Sequence, residues 1–154
     1  MSGSSLTETT DQIEVRRPLL LALGAAAVMM LGSLLPWLNV TTPQGSFTFT
    51  GSEGDGSITM ALGAGIALMA AVGLIQKRAT LVTGTLIALA GVVAGMEALN
   101  FVEDAKATLG LVDPTQIEVS TRPGMWVSML GCAVAVTAGV LVLIAVRRER
   151  QAAK

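Results

Sequence analysis

Glu97 is the one acidic residue inside an apolar stretch of this chain, and it is the first candidate for chemistry. An acid within a membrane-spanning helix is costly to bury, so such residues commonly mark proton or substrate paths. Glu97 falls in the last turn of its stretch, next to Asn100, where its side chain can reach the interface. Arg122, on the same side, is a candidate partner. We therefore favour an interfacial role for Glu97 and Arg122, with proton-coupled transport as the alternative.

A second candidate is the glycine-rich, acidic segment GSEGDGSIT at residues 51–59. It lacks the further acids of a calcium-binding EF-hand loop and the lysine of a phosphate-binding loop. Its glycines can adopt positive φ in a turn: Gly51, Gly54 and Gly56. Asp55 or Ser57 can cap a following helix. The segment predicts a turn and a helix cap, and weak calcium binding is the alternative.

The other residue types and motifs of the chain do not indicate catalysis. The chain has no histidine, which removes the commonest general base and metal ligand. It contains no nucleotide-binding loop, and its single cysteine, Cys132, lies in mid-span and is expected to be a packing residue. We therefore expect no enzyme activity, no catalytic, cofactor or metal site, and no nucleic-acid partner.

The elements that would position these residues are apolar. Of 154 residues, 52% are hydrophobic and 14% charged, which is typical of a membrane protein. Four stretches of about 20 residues can each span a bilayer core of about 30 Å. The predicted spans are 18–38, 58–75, 80–99 and 124–146, after a disordered segment at 1–17 and before a basic tail at 147–154. Arg16 and Arg17 before an apolar run also resemble a secretory signal, but the run is long enough to be a retained helix.

The basic residues set the expected orientation. Eight lysines and arginines fall on one side if both termini and the turn between spans two and three share it, and two, Lys106 and Arg122, fall on the other. This asymmetry predicts a multi-pass protein of the bacterial inner membrane with both termini in the cytoplasm. The outer loops, 39–57 and 100–123, are rich in acids.

The outer loops also show strand patterns. SFTFT alternates Phe47 and Phe49 with hydroxyl residues, and a Pro-Gln-Gly link before it indicates a hairpin. TQIEVST alternates Ile117 and Val119 with polar residues, and NFVEDAKATLG can extend the third helix, with Gly110 as its stop. We expect an all-α transmembrane four-helix bundle with a small extracytoplasmic β cap, in which Phe47 or Phe49 packs against Ile117 and Val119.

Small residues recur at helical spacing in the spans. They favour close helix packing, within the chain or with another protein: Gly84, Ala88, Gly91 and Gly95 in the third span, and Gly131, Ala135 and Gly139 in the fourth. Trp37 and Trp126 fall at the expected outer boundary, where tryptophan is a common interfacial anchor.

The topology weakly resembles that of claudin-like four-span proteins, with Trp37 in PWLNV set beside the family's tryptophan-rich first loop. That resemblance implies an outer sheet built from both loops and cytoplasmic termini. The Gly-Leu-Trp run and paired loop cysteines of the family are absent here. The chain is also similar to small bacterial four-span proteins with a Pro-Trp end to helix one and a Gly-Asp-Gly entry to helix two, which implies architecture only.

Together these features favour a non-catalytic accessory or scaffold subunit of a larger membrane complex. Its partners would be the lipid bilayer and either another membrane protein or a second copy of itself. The alternative is a small oligomeric transporter or channel in which Glu97 titrates.

Overall fold

The four apolar stretches of the sequence are all helical. This computed structural model describes residues 4–53, 56–110 and 118–152. The helices are α1 (Ser4–Leu34), α2 (Gly56–Gln76), α3 (Leu81–Gly110) and α4 (Pro123–Ala152). Each contains a segment long and apolar enough to cross a membrane. Together with a small sheet, they confirm the predicted all-α transmembrane fold with a β cap.

The helices form an antiparallel four-membered ring. Helix α1 packs against α2 and α4, and α3 packs against the same two helices. The up-and-down order is visible in close approaches such as Gly73 to Leu19, near the Arg78 carbonyl, and Gly84 to Leu143. We call the end that carries the α2–α3 turn and the termini of α1 and α4 the arginine end, and the opposite end the sheet end.

Helix α1 differs from the prediction at both of its ends. It begins at Ser4, where a disordered segment was expected, because adding residues to an existing helix costs far less than nucleating one. Pro18 therefore lies inside the helix instead of in its first turn. The helix ends at Leu34, so Pro36 and Trp37 belong to a strand and not to the first span.

Helices α3 and α4 extend beyond the predicted spans 80–99 and 124–146. Helix α3 continues to Gly110, as the sequence predicted for its outer extension. The basic tail after residue 146 continues α4 as far as Ala152.

The turn between α2 and α3 is closed by local hydrogen bonds. Lys77 has a φ of 51° and ends α2, and the Arg78 amide donates to the Gly73 carbonyl at 3.1 Å, as in a Schellman motif. The Thr80 hydroxyl accepts a bond from the Thr83 amide at 3.1 Å and so caps α3. These bonds hold the two helices in a tight antiparallel pair.

The sheet has three antiparallel strands: β1 (Pro36–Thr42), β2 (Gly45–Thr50) and β3 (Glu118–Thr121). Their order is β2-β1-β3, so β1 is central and the predicted third strand joins the hairpin at β1. Pro43 and Gln44 form the hairpin turn, followed by Gly45 with a φ of 147°. The pairing of β1 with β2 shifts register between Pro36 and Leu38.

Candidate docking surface

The outermost strand, β2, is the most exposed element of the sheet end. Its residues from Gly45 to Phe49 are all exposed, and its second edge has no strand partner among the described residues. Phe47 is 57% exposed and Phe49 is 44% exposed. An edge strand of this kind presents unpaired N–H and C=O groups to any extended segment that approaches. We call β2 with these two phenylalanines the β2 edge.

The exposure of Phe47 and Phe49 corrects the predicted packing of the cap. Phe47 stands opposite Val40 and Phe49 opposite Leu38, so all four share one face of the sheet. Val40 and Leu38 are buried because β1 lies over the helices, whereas β2 lies outside that cover. Alternation in the sequence indicated a half-buried strand, but neither phenylalanine is buried. The predicted contact with Ile117 lies outside the described residues.

Trp37 is the centre of the core beneath the sheet. Its side chain is completely buried, in a hydrophobic cluster that also contains Leu38, Ala98, Val102 and Met125. Its indole Nε1 donates a hydrogen bond to the Gly32 carbonyl at 2.9 Å.

This burial corrects the expectation that Trp37 is an interfacial anchor. Phe101 packs edge-on against its ring, with centroids 5.8 Å apart and an angle of 72°. The Trp37 carbonyl accepts a bond from the Arg122 amide at 2.7 Å, which ties the entry of α4 to β1. Trp126, by contrast, is 60% exposed on α4, where an anchor is placed. Only Trp126 therefore has the exposure that an anchor needs.

Gly51, the first residue of the segment GSEGDGSIT, lies against Trp37. A Cβ on Gly51 would come within 2.5 Å of the indole Nε1, and one on Gly56 would collide with the backbone of Gly51. Neither residue has the positive φ that we expected, so these glycines provide close approach instead of unusual backbone angles. Glu53 accepts a hydrogen bond from the Thr50 amide at 2.9 Å.

The expected helix cap in this segment is only partly visible. Asp55 lies outside the described residues, and Ser57 lies inside the first turn of α2, which begins at Gly56. The predicted calcium alternative involves Asp55 and is not described either. No group of three or more possible metal ligands occurs among the residues that the structure describes.

The small residues of α3 and α4 pack within the chain. A Cβ on Gly139 would come within 2.6 Å of the Ala88 nitrogen, and one on Gly91 within 3.0 Å of the Cys132 carbonyl. Gly84 meets Gly139 and Leu143 in the same way. Such close backbone approach is how helices associate where lipid provides no hydrophobic drive. These positions are therefore occupied by the α3–α4 contact.

The other members of the predicted set differ in their surroundings. Gly131 faces α1, because a Cβ there would come within 2.7 Å of Met29. Ala135 is completely buried. Gly95 is less constrained, since its nearest neighbour would lie 3.7 Å away, at the Cys132 Cβ. The small residues of α3 and α4 are thus closely packed at Gly139 and loosely packed at Gly95.

Glu97 and Arg122 do not form the expected pair. Glu97 is half-buried on α3, and Arg122 is exposed. No ion pair joins the two in the described part of the chain, where Arg122 is held instead through its backbone amide. A groove at the arginine end is not lined by Glu97. The transporter alternative therefore stays a prediction.

Sequence reasoning missed three buried hydroxyl residues in the helices. Ser33 and Ser128 are completely buried, and both hydroxyls donate to the Met29 carbonyl, at 3.0 and 3.4 Å. Thr59 on α2 is also completely buried, but its Oγ1 has no hydrogen-bond partner. Hydroxyls in apolar spans are common enough that the sequence alone did not single these out.

Comparison with known proteins identifies the family. The model of the family described as tryptophan-associated transmembrane protein matches residues 19–154, which include most of the first span, the other three spans and the sheet. No curated protein and no solved structure matches the chain. These findings support a small multi-span membrane protein and do not support the claudin-like resemblance. The chain belongs to the tryptophan-associated transmembrane protein family.

Proposed function

We propose that the protein is a non-catalytic accessory subunit that docks on a second membrane protein through its β2 edge. The observation that carries this proposal is the exposure of β2 along its length, with Phe47 and Phe49 uncovered on the same face. An extended segment of a partner can add to such an edge by main-chain hydrogen bonds. Exposed aromatic side chains are enriched where protein surfaces meet.

The packing and composition of the helix faces favour the sheet end as the docking site. The tight small-residue positions Gly84, Gly91 and Gly139 already contact neighbouring helices of the same chain. What the bundle presents outward is mainly large aliphatic side chains, which lipid covers without a partner. A partner would therefore contact the sheet end rather than the small-residue positions of α3 and α4.

The proposal includes an orientation. The arginine end would lie in the cytoplasm of a bacterial cell and the sheet end outside the inner membrane. The distribution of lysine and arginine supports this orientation, since eight of ten belong to the arginine end or the termini. The exposed acids Glu53, Glu103, Asp104 and Glu118 would then lie on the same side of the membrane as the docking site.

The family description indicates which compound the partner's complex handles. Members are described as associated with tryptophan, without a stated role. We propose that the complex joined by this chain makes, carries or responds to tryptophan. Identification of a co-purifying protein that has no connection with tryptophan would contradict this part of the proposal alone.

Site-specific photo-cross-linking tests the docking site. A photoreactive amino acid at Phe47 should cross-link to one membrane protein in cells, whereas the same residue at Asp104, exposed on the outer extension of α3, should not. Cross-links from Phe47 to lipid alone would show that the phenylalanines enter the membrane surface, and equal protein cross-links from both positions would show no specific site. Either result contradicts the proposal.

A further inference from the structure

An open groove of about 570 Å³ lies at the arginine end, between α1 and α4. Arg17 on α1 and Arg148 on α4 line it, and both are exposed. The described residues that line the groove include no carboxylate. Glu149, the acid next to Arg148 in sequence, does not line the groove. The part of the groove wall that the structure describes therefore carries two positive charges and no acid.

Below the two arginines the groove is apolar. Pro18 and Ala145 are buried at its floor, and Leu21, Leu141 and Ile144 form walls that are 39–42% exposed. These exposed walls make the lower part of the groove accessible to a hydrocarbon chain.

The positions along the helices separate the charges from the apolar surface. Leu141 precedes Arg148 by seven residues, which corresponds to about 10 Å along a helix. Arg17 lies near the start of the first candidate span and Arg148 near the end of α4, and the apolar walls run from them toward the centre of the span. A molecule that complements this surface has an anionic head and a hydrocarbon chain directed into the bilayer.

We propose that this groove binds one anionic phospholipid, with the phosphate between Arg17 and Arg148 and an acyl chain along Leu21, Leu141 and Ile144. Guanidinium groups bind phosphate through paired, charge-assisted hydrogen bonds. A zwitterionic lipid is disfavoured because its second, positive group would approach the same two arginines. The bound lipid would join α1 to α4 at the end of the bundle that the sheet does not cap.

Native mass spectrometry of the delipidated full-length chain tests this proposal. Phosphatidylglycerol and phosphatidylcholine with the same acyl chains are the probes. The wild type should retain one phosphatidylglycerol, and the Arg17→Gln/Arg148→Gln variant should bind it about 10- to 30-fold more weakly. The matched control is Arg16→Gln/Arg150→Gln, which removes the same charge from exposed positions outside the groove. This control should bind like the wild type.

Two results would overturn the proposal. Equal weakening in the control would show a diffuse electrostatic effect, and equal binding of phosphatidylcholine would show that charge does not select the lipid. If the double arginine variant does not fold, Ile144→Trp keeps both arginines and fills the groove from an exposed wall. It should lose the bound phosphatidylglycerol, and retention of the lipid would contradict the proposed site.

Discussion

Gly51 lies against Trp37 so closely that a Cβ on Gly51 would come within 2.5 Å of the indole Nε1 and within 2.7 Å of the Ser33 carbonyl oxygen. This contact brings together the end of α1, the start of β1 and the segment that leads into α2. The sheet end is therefore assembled around one buried tryptophan, and the β2 edge is held at its margin.

Gly51→Ala should destabilise the protein by about 1–3 kcal/mol, because the added methyl group would force rigid neighbours apart. Gly65→Ala is the matched control, since a Cβ there meets nothing within 4 Å. The control should be neutral or slightly stabilising, as alanine is favoured over glycine in a helix. Thermal unfolding in detergent measures both, and an unchanged midpoint for Gly51→Ala would show that the Trp37 contact is not tight.

The two tryptophans should report different surroundings. Trp37 is completely buried and Trp126 is 60% exposed, so brominated lipids should quench the fluorescence of Trp126 and not that of Trp37. Trp37→Phe and Trp126→Phe each leave a single emitter. Strong quenching of Trp37 in the Trp126→Phe variant would contradict its burial and would support the interfacial anchor that its sequence position predicted.

Glycines of the α3–α4 contact should differ sharply in their tolerance of a methyl group. Gly139→Ala should cost about 1–3 kcal/mol, because its Cβ would come within 2.6 Å of the Ala88 backbone nitrogen. Gly95→Ala, whose nearest neighbour would be 3.7 Å away, should be neutral or stabilising. Unfolding in detergent compares the two variants. Equal effects would argue against the tight approach at Gly139.

Thr59→Val should stabilise the bundle by about 1 kcal/mol, since it removes a buried hydroxyl that has no partner and keeps the side-chain shape. Ser128→Ala is the comparison, because that hydroxyl donates to the Met29 carbonyl. It should be neutral or mildly destabilising. A clear loss of stability in Thr59→Val would mean that the threonine hydroxyl has a partner in the membrane.

Much of the fold could be predicted because its signals are local. Span length and charge indicated four helices, and alternation around Val119 indicated a third strand. The extension of α3 to Gly110 followed from helix pattern and a glycine stop. These features depend on a few neighbouring residues, which a sequence displays directly.

The candidate site could not be predicted in the same way, since burial there depends on what lies above or below each residue. Trp37 and Trp126 are the same residue type near the same boundary, yet Trp37 is covered by Gly51 and Phe101, and Trp126 is not. The pattern of Phe47 and Phe49 indicated a strand, but the place of that strand at the sheet edge depends on β3 pairing with β1.

Extraction of the protein from its native membrane in mild detergent, with sizing and identification of every co-purifying protein, tests the accessory role most directly. We predict a stoichiometric complex larger than this chain alone, lost in Phe47→Ser/Phe49→Ser and retained in Ser46→Ala/Thr48→Ala, which alters alternate positions of the same strand. A homogeneous particle containing only this chain would contradict the accessory role, and a complex that survives the phenylalanine substitutions would contradict docking through the β2 edge.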